Sequence, residues 1–189
     1  MFTSIAIIGR PNVGKSTLFN KLTKTREAIV SDFPGLTKDR NYGYIKLGSI
    51  KSFIIDTGGI GKDESNLSQN ISEQAWMAAN ECNLILFLVD GSENLTSEDF
   101  DILSSLRKLN KPFITLLNKS DKSSKSEALN DISSKGIKDY LDISAEHSRG
   151  LDDLKKLLIK MLPEKTDETV PDGKKIAVLG RPNAGKSTF

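Results

Sequence analysis

A glycine-rich loop near the N-terminus has the residue types and spacing that bind phosphate groups. Residues 9–16 read GRPNVGKS and fit the pattern G-x-x-x-x-G-K-[S/T], between an apolar run and a helix-like stretch. Glycines let successive backbone N–H groups point at one anion, and the start of the following helix adds partial positive charge. In this pattern Lys15 reaches the β- and γ-phosphates of a nucleotide, and the hydroxyl of Ser16 ligates Mg²⁺. The loop is therefore predicted to bind a nucleoside triphosphate with Mg²⁺ through Gly9, Arg10, Pro11, Asn12, Val13, Gly14, Lys15, Ser16 and Thr17.

A short polar motif after another apolar run indicates which base is bound. Residues 118–121 read NKSD, at the carboxyl end of a predicted strand, where open α/β sheets bind ligands. The Asp121 carboxylate can accept hydrogen bonds from ring N1–H and the exocyclic amine of guanine. Adenine would leave it unpaired, at a cost of several kcal/mol. Guanine is therefore predicted as the bound base. The aliphatic stem of Lys119 would lie on the base, and the backbone N–H groups of Ser144 and Ala145, after the last predicted strand, would contact the guanine carbonyl. The predicted base-binding residues are Asn118, Lys119, Asp121, Ser144 and Ala145.

A third motif, DTGG, ends another predicted strand. Asp56 is placed to hold Mg²⁺ through water, and the N–H of Gly59 to sense a γ-phosphate. Thr37, in the polar segment between the phosphate loop and this motif, is the candidate second hydroxyl on the metal. The predicted Mg²⁺ ligands are Ser16, Thr37 and Asp56, and the predicted catalytic residues are Lys15, Thr37 and Gly59. The nucleotide contacts predicted around this motif are Asp56, Thr57, Gly58, Gly59 and Ile60.

The phosphate loop occurs twice. Residues 5–17 read IAIIGRPNVGKST and residues 176–188 read IAVLGRPNAGKST, which indicates tandem duplication of a whole domain. A strand and loop with no sheet behind them cannot fold alone, so the chain is interpreted as a fragment of a longer protein. Predicted domains are 1–162, a polar linker at 163–174, and a truncated second domain at 175–189. The second nucleotide site would begin with Gly180, Gly185, Lys186 and Ser187.

Apolar runs alternate with amphipathic stretches along the first domain, which predicts an α/β doubly wound sheet. Four short unbroken apolar runs are typical of strands buried on both faces, and two further strands are weaker. The predicted strands are Ile5–Ile8, Asn41–Leu47 (half-exposed), Phe53–Ile55, Leu84–Val89, Phe113–Leu117 and Tyr140–Ile143. The predicted helices are Lys15–Lys24, Ser72–Cys82, Ser97–Leu109 and Leu151–Leu162.

Composition excludes several classes of protein. The 189 residues are 37% hydrophobic and 28% charged, with a net charge of +2, which is ordinary for a globular domain and makes no case for nucleic-acid binding. The single Cys82 cannot form an internal disulfide and fits a reducing compartment. No signal peptide or membrane span is evident. A soluble cytoplasmic protein is therefore expected.

Taken together, the ordered motifs resemble a translation-factor-type GTPase of the Era-like branch. The duplicated GRPN[VA]GKST loop, the DTGG motif and PGLTKDR at residues 34–40 resemble the EngA/Der family of bacterial GTPases with two G domains in tandem. Lys38 stands where that family more usually has arginine. The resemblance implies a three-layer P-loop NTPase G domain with a mostly parallel six-stranded sheet. It also implies GTP hydrolysis coupled to assembly of the large (50S) ribosomal subunit, a monomeric protein, and a second G domain and a KH-like domain in cis.

The residue after the DTGG motif bears on how the water that attacks GTP would be positioned. Ile60 stands where Ras-like enzymes have the glutamine that orients the attacking water, and its side chain can neither donate nor accept a hydrogen bond. In Era-like relatives the asparagine at the position of Asn12 resembles a potassium ligand, so K⁺-stimulated hydrolysis is a hypothesis. The alternative is that Asn12 only braces the loop. Arg10 is interpreted as an exposed structural residue and not as an arginine finger.

Other interpretations stay open at the sequence level. One is a nucleotide-binding regulatory module with little intrinsic hydrolysis, and another is a different Era-like enzyme such as a tRNA-modification GTPase. The duplicated loop argues against the latter, and Asp121 argues against an ATP-dependent kinase. His147 is interpreted as a solvated loop residue, whereas Cys82 and Trp76 are expected to pack in the core.

Overall fold

The structure, a computed structural model, describes residues 3–23, 41–59, 73–121, 137 and 140–162. The six strands are β1 (Thr3–Ile8), β2 (Asn41–Leu47), β3 (Ile50–Asp56), β4 (Leu84–Asp90), β5 (Phe113–Asn118) and β6 (Tyr140–Asp142). The four helices described are α1 (Lys15–Leu22), α2 (Glu73–Glu81), α3 (Ser97–Lys108) and α4 (Leu151–Met161), and a short 3₁₀ turn spans Thr57–Gly59. Strand and helix alternate as the hydrophobic pattern predicts, with shifted ends.

The strands form one sheet in the order β2-β3-β1-β4-β5-β6. All neighbours are parallel except β2 and β3, which form an antiparallel pair. The order reverses direction between β1 and β4, and at such a switch point the carboxyl ends of the strands leave a crevice where ligands bind. The phosphate loop follows β1 at this crevice, and the NKSD motif follows β5.

Alternate residues of the central strands enter two separate cores, one on each face of the sheet. Ile5 and Ile7 pack with α1 and α4, while Ala6 and Ile8 pack with α2 and α3. Because successive side chains of a strand point to opposite faces, β1 contributes to both cores. This arrangement confirms the three-layer architecture.

Strand β2 keeps its predicted bounds and is half-exposed as expected, with Asn41 and Lys46 exposed and Tyr44 partly buried. The alternation differs from the one expected through Tyr42, Tyr44 and Leu47, because Gly43, Ile45 and Leu47 are the alternating residues that are buried. The end of helix α1 packs closely against β2, since a Cβ on Gly43 would lie 2.3 Å from Thr23 Cγ2. Helix α1 also ends at Leu22 rather than at Lys24, with Thr23 donating through both N and Oγ1 to the Phe19 carbonyl.

Helix α3 begins where the sequence predicts, with a reciprocal capping box. The Thr96 side chain accepts from the Asp99 N–H, and the Asp99 carboxylate accepts from the Thr96 N–H. Cys82 is buried and Trp76 is partly buried against the same core as α3, as expected of packing residues. Burial raises the pKa of the Cys82 thiol. Across the described ranges, no helix is both long and apolar enough to cross a bilayer.

Candidate functional site

The phosphate loop runs from the end of β1 to the first turn of α1. Gly14 has φ of +100°, and Asn12 adopts a left-handed conformation with φ of 63°. A Cβ on Gly9 would lie 2.2 Å from the Leu88 carbonyl oxygen, so the loop passes against β4 with no room for a side chain. The first glycine is thus required for close packing, and the last for a conformation that L-residues rarely adopt.

Lys15 folds back over this loop. Its Nζ donates to the carbonyl oxygens of Gly9 and Arg10, both at 2.7 Å, and the residue is only 9% exposed. Burial lowers the pKa of the ammonium group, although the charge of Asp56 and that of Glu98 oppose the shift. The Lys15 ammonium is therefore held inside the phosphate loop, where it is predicted to help bind the phosphates.

Two of the three residues expected to hold Mg²⁺, Ser16 and Asp56, converge at the start of the 3₁₀ turn. A Cβ added to Gly58 would lie 3.1 Å from Asp56 Oδ1, 3.1 Å from Lys15 Cε and 3.3 Å from Ser16 Oγ. Asp56 is 3% exposed, and its Oδ1 accepts from the Gly58 N–H at 2.9 Å. The Ser16 hydroxyl and the Asp56 carboxylate therefore lie near the same glycine, and they are oxygen ligands of the kind that Mg²⁺ prefers when it is bound with phosphates. No cluster of three or more His, Cys, Asp or Glu side chains that could bind a metal occurs in the described part of the chain.

Thr57, predicted to contact nucleotide, uses its side chain in a structural contact. Its Oγ1 donates to the Ile7 carbonyl at 2.5 Å, and the residue is buried. The hydroxyl thereby ties the 3₁₀ turn to β1.

Asn118 joins the phosphate loop to the two loops at the other end of the crevice. Its Nδ2 donates to the Val13 carbonyl at 2.8 Å, and its Oδ1 accepts from the Ala145 N–H at 2.9 Å. The side chain is buried, and a Cβ on Gly14 would lie 2.3 Å from Nδ2. One amide thus fixes three segments that come from distant parts of the chain.

A pocket of about 310 Å³ opens beside this amide. Asp121 lies at the pocket, as the base-recognition prediction requires. The lining residues are Gly14, Thr17, Asn118, Lys119, Asp121, Ser144 and Glu146. The pocket therefore brings together residues from the phosphate loop, the NKSD motif and the Ser144-Ala145 turn.

Lys119 makes a contact that the sequence did not indicate. Its Nζ donates to Asp90 Oδ2 at 2.5 Å, and Asp90 Oδ1 accepts from the N–H and hydroxyl of Ser92. Burial acts to raise the pKa of Asp90, but the bonds from Lys119 and Ser92 lower it overall. The pairing fixes the far end of the Lys119 side chain, whose stem lines the pocket.

The Ser144-Ala145 turn has a different hydrogen-bonding pattern from the one expected. The Ser144 N–H donates to the Arg149 carbonyl at 3.0 Å, and the Ala145 N–H donates to Asn118. Both groups predicted to contact a guanine carbonyl therefore already have protein acceptors: Ser144 through its bridge to Arg149, and Ala145 through the Asn118 side chain. Glu146, which sequence reasoning missed, lines the pocket directly after this pair.

Two other residues make contacts that the sequence did not indicate. Arg10 is not exposed, since its side chain is 18% accessible and binds two acidic residues, Glu93 and Asp99. His147 is 62% exposed, as expected of a loop residue, but its Nε2 lies 3.6 Å from Asp121 Oδ2. Neither contact has a local sequence signal, because the partners are far apart along the chain.

Several predicted residues lie outside the described ranges. These are Thr37 and Ile60 of the first domain and Gly180, Gly185, Lys186 and Ser187 of the duplicated loop. Lys24 and Ser72, at the ends of two predicted helices, also lie outside them, as do the linker and the start of the second domain.

Comparison with known proteins settles the family. Residues 4–119 match the family described as 50S ribosome-binding GTPase. The chain belongs to this GTPase family. Over its whole length it is 48% identical to the protein named GTPase Der from Legionella pneumophila (strain Corby), and over 98% of its length 47% identical to GTPase Der from Geotalea daltonii. The chain spans about two fifths of these relatives' length, 41% and 42% respectively.

Several solved structures share the fold of this chain. A variant of Aquifex aeolicus Era bound to GDP and aluminium fluoride superposes with a TM-score of 0.70 at 33% identity, covering 87% of this chain and 58% of that one. Era in complex with MgGDPNP and a segment of 16S ribosomal RNA gives 0.69 at 32% identity, with the same coverage. The G domain of the Thermotoga maritima FeoB iron transporter, at 21% identity and a TM-score of 0.60 over 85% of this chain and 99% of that one, shares the fold alone. The resemblance to Der and Era-like GTPases is therefore confirmed.

The fit between Gly14 and Asn118 makes a testable prediction for this GTPase. Gly14→Ala is expected to weaken GDP binding at least about tenfold and to lower Tm, because the new Cβ must displace the amide and strains a positive φ. Gly48→Ala is the matched control, since Gly48 also has a positive φ but no atom of the described residues lies within 4 Å of a new Cβ. Equal effects of the two substitutions on GDP affinity, measured by titration, would contradict the role given to this contact.

Proposed function

We propose that residues 1–162 form a G domain that binds GTP with Mg²⁺, hydrolyses it to GDP and phosphate, and acts as a switch. In this proposal guanine occupies the pocket beside Asp121, and the phosphates lie over the loop from Gly9 to Thr17. The observation that carries it is the amide of Asn118, which bonds to both Val13 and Ala145 and so builds one site from the phosphate loop and the base-binding loops. Asp121 at the same pocket supplies the acceptor that selects guanine.

Different residues of the chain would bind the phosphates and the metal. Lys15 would exchange its two carbonyl acceptors for phosphate oxygens, and Ser16, Asp56 and Thr37 would hold the metal. Mg²⁺ supplies charge that offsets the negative charge developing on the β- and γ-phosphates. The Gly59 N–H would donate a hydrogen bond to the γ-phosphate. Loss of that phosphate on hydrolysis would release this part of the site.

Ile60 leaves the attacking water without a side-chain partner at that position. We propose that backbone groups and a K⁺ ion held in part by Asn12 take over this role. The side-chain amide of Asn12 offers an oxygen ligand for such a cation, and its place within the phosphate loop would set that oxygen beside the phosphates. GTP turnover measured in equal concentrations of KCl and NaCl tests this, and equal rates would contradict it. Very slow turnover in both salts would favour a regulatory module that binds guanine nucleotides.

We further propose that the full protein takes part in assembly of the 50S ribosomal subunit. The support is the description of the matched family and the likeness to GTPase Der. In this proposal the protein is a cytoplasmic monomer, and residues 163–174 link to a second G domain that begins at residue 175, followed by a KH-like domain.

Binding of mant-GDP and mant-ATP tests the nucleotide assignment directly. The second phosphate loop is silenced by Lys186→Ala in every sample, so that only the first site is measured. Saturable binding of mant-GDP that GTP displaces, with no binding of mant-ATP, is the expected result. Absence of GDP binding in a sample with a cooperative thermal transition would contradict the proposal.

A further inference from the structure

Arg10 connects the phosphate loop to a segment that sequence patterns do not link to the nucleotide. Its Nε donates to Asp99 Oδ2 at 3.1 Å, and its Nη2 contacts Glu93. Burial opposes the charge, but the hydrogen bond to Glu93 and the charges of Asp99, Glu93 and Asp90 raise the guanidinium pKa overall. The side chain is therefore a fixed cation held by two acids that lie 83 and 89 residues further along the chain.

The backbone of Arg10 takes part in the same loop that cradles phosphate. Its carbonyl accepts the Lys15 Nζ at 2.7 Å. A shift of the Arg10 backbone would therefore also move an acceptor of the phosphate-binding lysine. The contacts of the Arg10 guanidinium with the two acids hold the residue in place from outside the loop. They thereby also fix its carbonyl, which accepts a hydrogen bond from Lys15.

Asp99 is held more rigidly than a surface acid. It is 1% exposed, and its Oδ2 accepts from the Thr96 N–H at 3.0 Å and the Thr96 hydroxyl at 2.9 Å as well as from Arg10. Because these bonds form the capping box of α3, the helix fixes the carboxylate in position. Asp99 Oδ1 is also buried and has no hydrogen-bond partner in the part of the chain described, so Arg10 is the cation that compensates this carboxylate.

The same segment contacts the base side of the site. Asp90 binds Lys119, and the Gly91 N–H donates to the Asn118 carbonyl at 2.7 Å. Gly91 has no room for a side chain, since a Cβ would lie 2.8 Å from that carbonyl oxygen. The segment Asp90–Asp99 thus touches the nucleotide site at both ends.

From these contacts we infer that Asp99, acting through Arg10, is a positioning residue that fixes the phosphate loop in its anion-binding conformation. The inference rests on the proposed function, because it concerns affinity for the nucleotide's phosphates. Charge-assisted bonds to a buried carboxylate hold the loop before the ligand arrives, which reduces the ordering needed on binding. The effect falls on contacts to the β-phosphate and not on the base, because the Arg10 carbonyl that this pair fixes is an acceptor of the phosphate-binding Lys15.

The test compares affinities for mant-GDP and mant-GMP in the Lys186→Ala background. Arg10→Gln and Asp99→Asn are each expected to weaken mant-GDP binding about tenfold, while mant-GMP changes by less than about twofold because it lacks the β-phosphate. The double variant is expected to bind mant-GDP no more weakly than the single variant with the lower affinity, since both substitutions remove the same contact between Arg10 and Asp99. Arg10→Lys should recover part of the loss, because it keeps the charge.

Asp101→Asn is the matched control, an exposed aspartate on the same helix. Arg10→Gln keeps the inference testable if Asp99→Asn disturbs folding, since it leaves the capping box of α3 intact. Parallel losses of mant-GDP and mant-GMP, additive losses in the double variant, or an Asp99→Asn affinity equal to that of Asp101→Asn would each overturn the inference. Failure of the parent chain to bind mant-GDP at all would instead overturn the proposed function.

Discussion

Asp121→Asn is expected to reverse base preference, from guanine to xanthine nucleotides. In the proposed site the carboxylate would accept hydrogen bonds from two donors of guanine, whereas an asparagine amide would present its own N–H donors to one of them. Xanthine has a carbonyl at that place, so the amide restores both bonds. A site built to hydrogen-bond one partner rejects a mismatched one by about 10⁴-fold, and we expect GDP affinity to fall and XDP affinity to rise on that scale. Competition titrations of mant-GDP with GDP and XDP measure both.

Asp153→Asn is the control for that experiment, because Asp153 is an exposed aspartate paired with Lys156 on α4. It should leave both affinities unchanged. Retention of GDP binding by Asp121→Asn without a gain for XDP would mean that Asp121 does not contact the base. His147, 3.6 Å from the carboxylate, would then be the first place to look for a different arrangement of the pocket.

Lys15→Met is expected to abolish nucleotide binding while leaving the fold intact. The ammonium makes two hydrogen bonds in a buried loop, and their transfer to phosphate is worth about 1.5–3 kcal/mol each, so GDP affinity should fall by at least about a hundredfold. Stability should change little, because the substitution removes the desolvation cost that lowers the Lys15 pKa together with the two hydrogen bonds to Gly9 and Arg10. Isothermal titration with GDP and urea unfolding measure the two effects on the same samples.

The lowered pKa of Lys15 adds a pH signature to this variant. Between the lowered folded-state pKa and the ordinary lysine pKa, the unfolded chain binds more protons than the folded one, so stability of the nucleotide-free protein rises with pH across that window. Below the folded-state pKa the contribution is constant. In Lys15→Met the rise should disappear, and an unchanged pH profile would contradict the assignment of this titration to Lys15.

Local patterns predicted the elements and motifs of this chain, because each depends on neighbouring residues. The glycines of the phosphate loop, the cap at Thr96 and the apolar run Leu84–Val89 each report their own surroundings. Which alternating residues of β2 are buried was not predictable, since its strand pattern does not show that α1 packs against Gly43.

The side-chain contacts of the site were harder to predict than its composition. Asn118, Lys119 and Arg10 were all identified, but not the partners of their side chains. Each partner lies far along the chain and is brought near only by the order of strands in the sheet, as with Lys119 and Asp90, 29 residues apart. Likewise, nothing local in the Ser144-Ala145 motif shows that its N–H groups are already bonded.

The bonds of Asn118 also bear on when the site can exist during synthesis. Its partners lie 105 residues before it and 27 residues after it, so the completed site has a high contact order. A nascent chain that ends before Ala145 has the phosphate loop and the NKSD motif but lacks the turn that closes the amide's second bond. At about 5–20 residues per second, the several seconds needed to synthesise this stretch separate emergence of the loop from completion of the pocket. Guanine nucleotide can therefore stabilise the domain only after nearly all of it has been made.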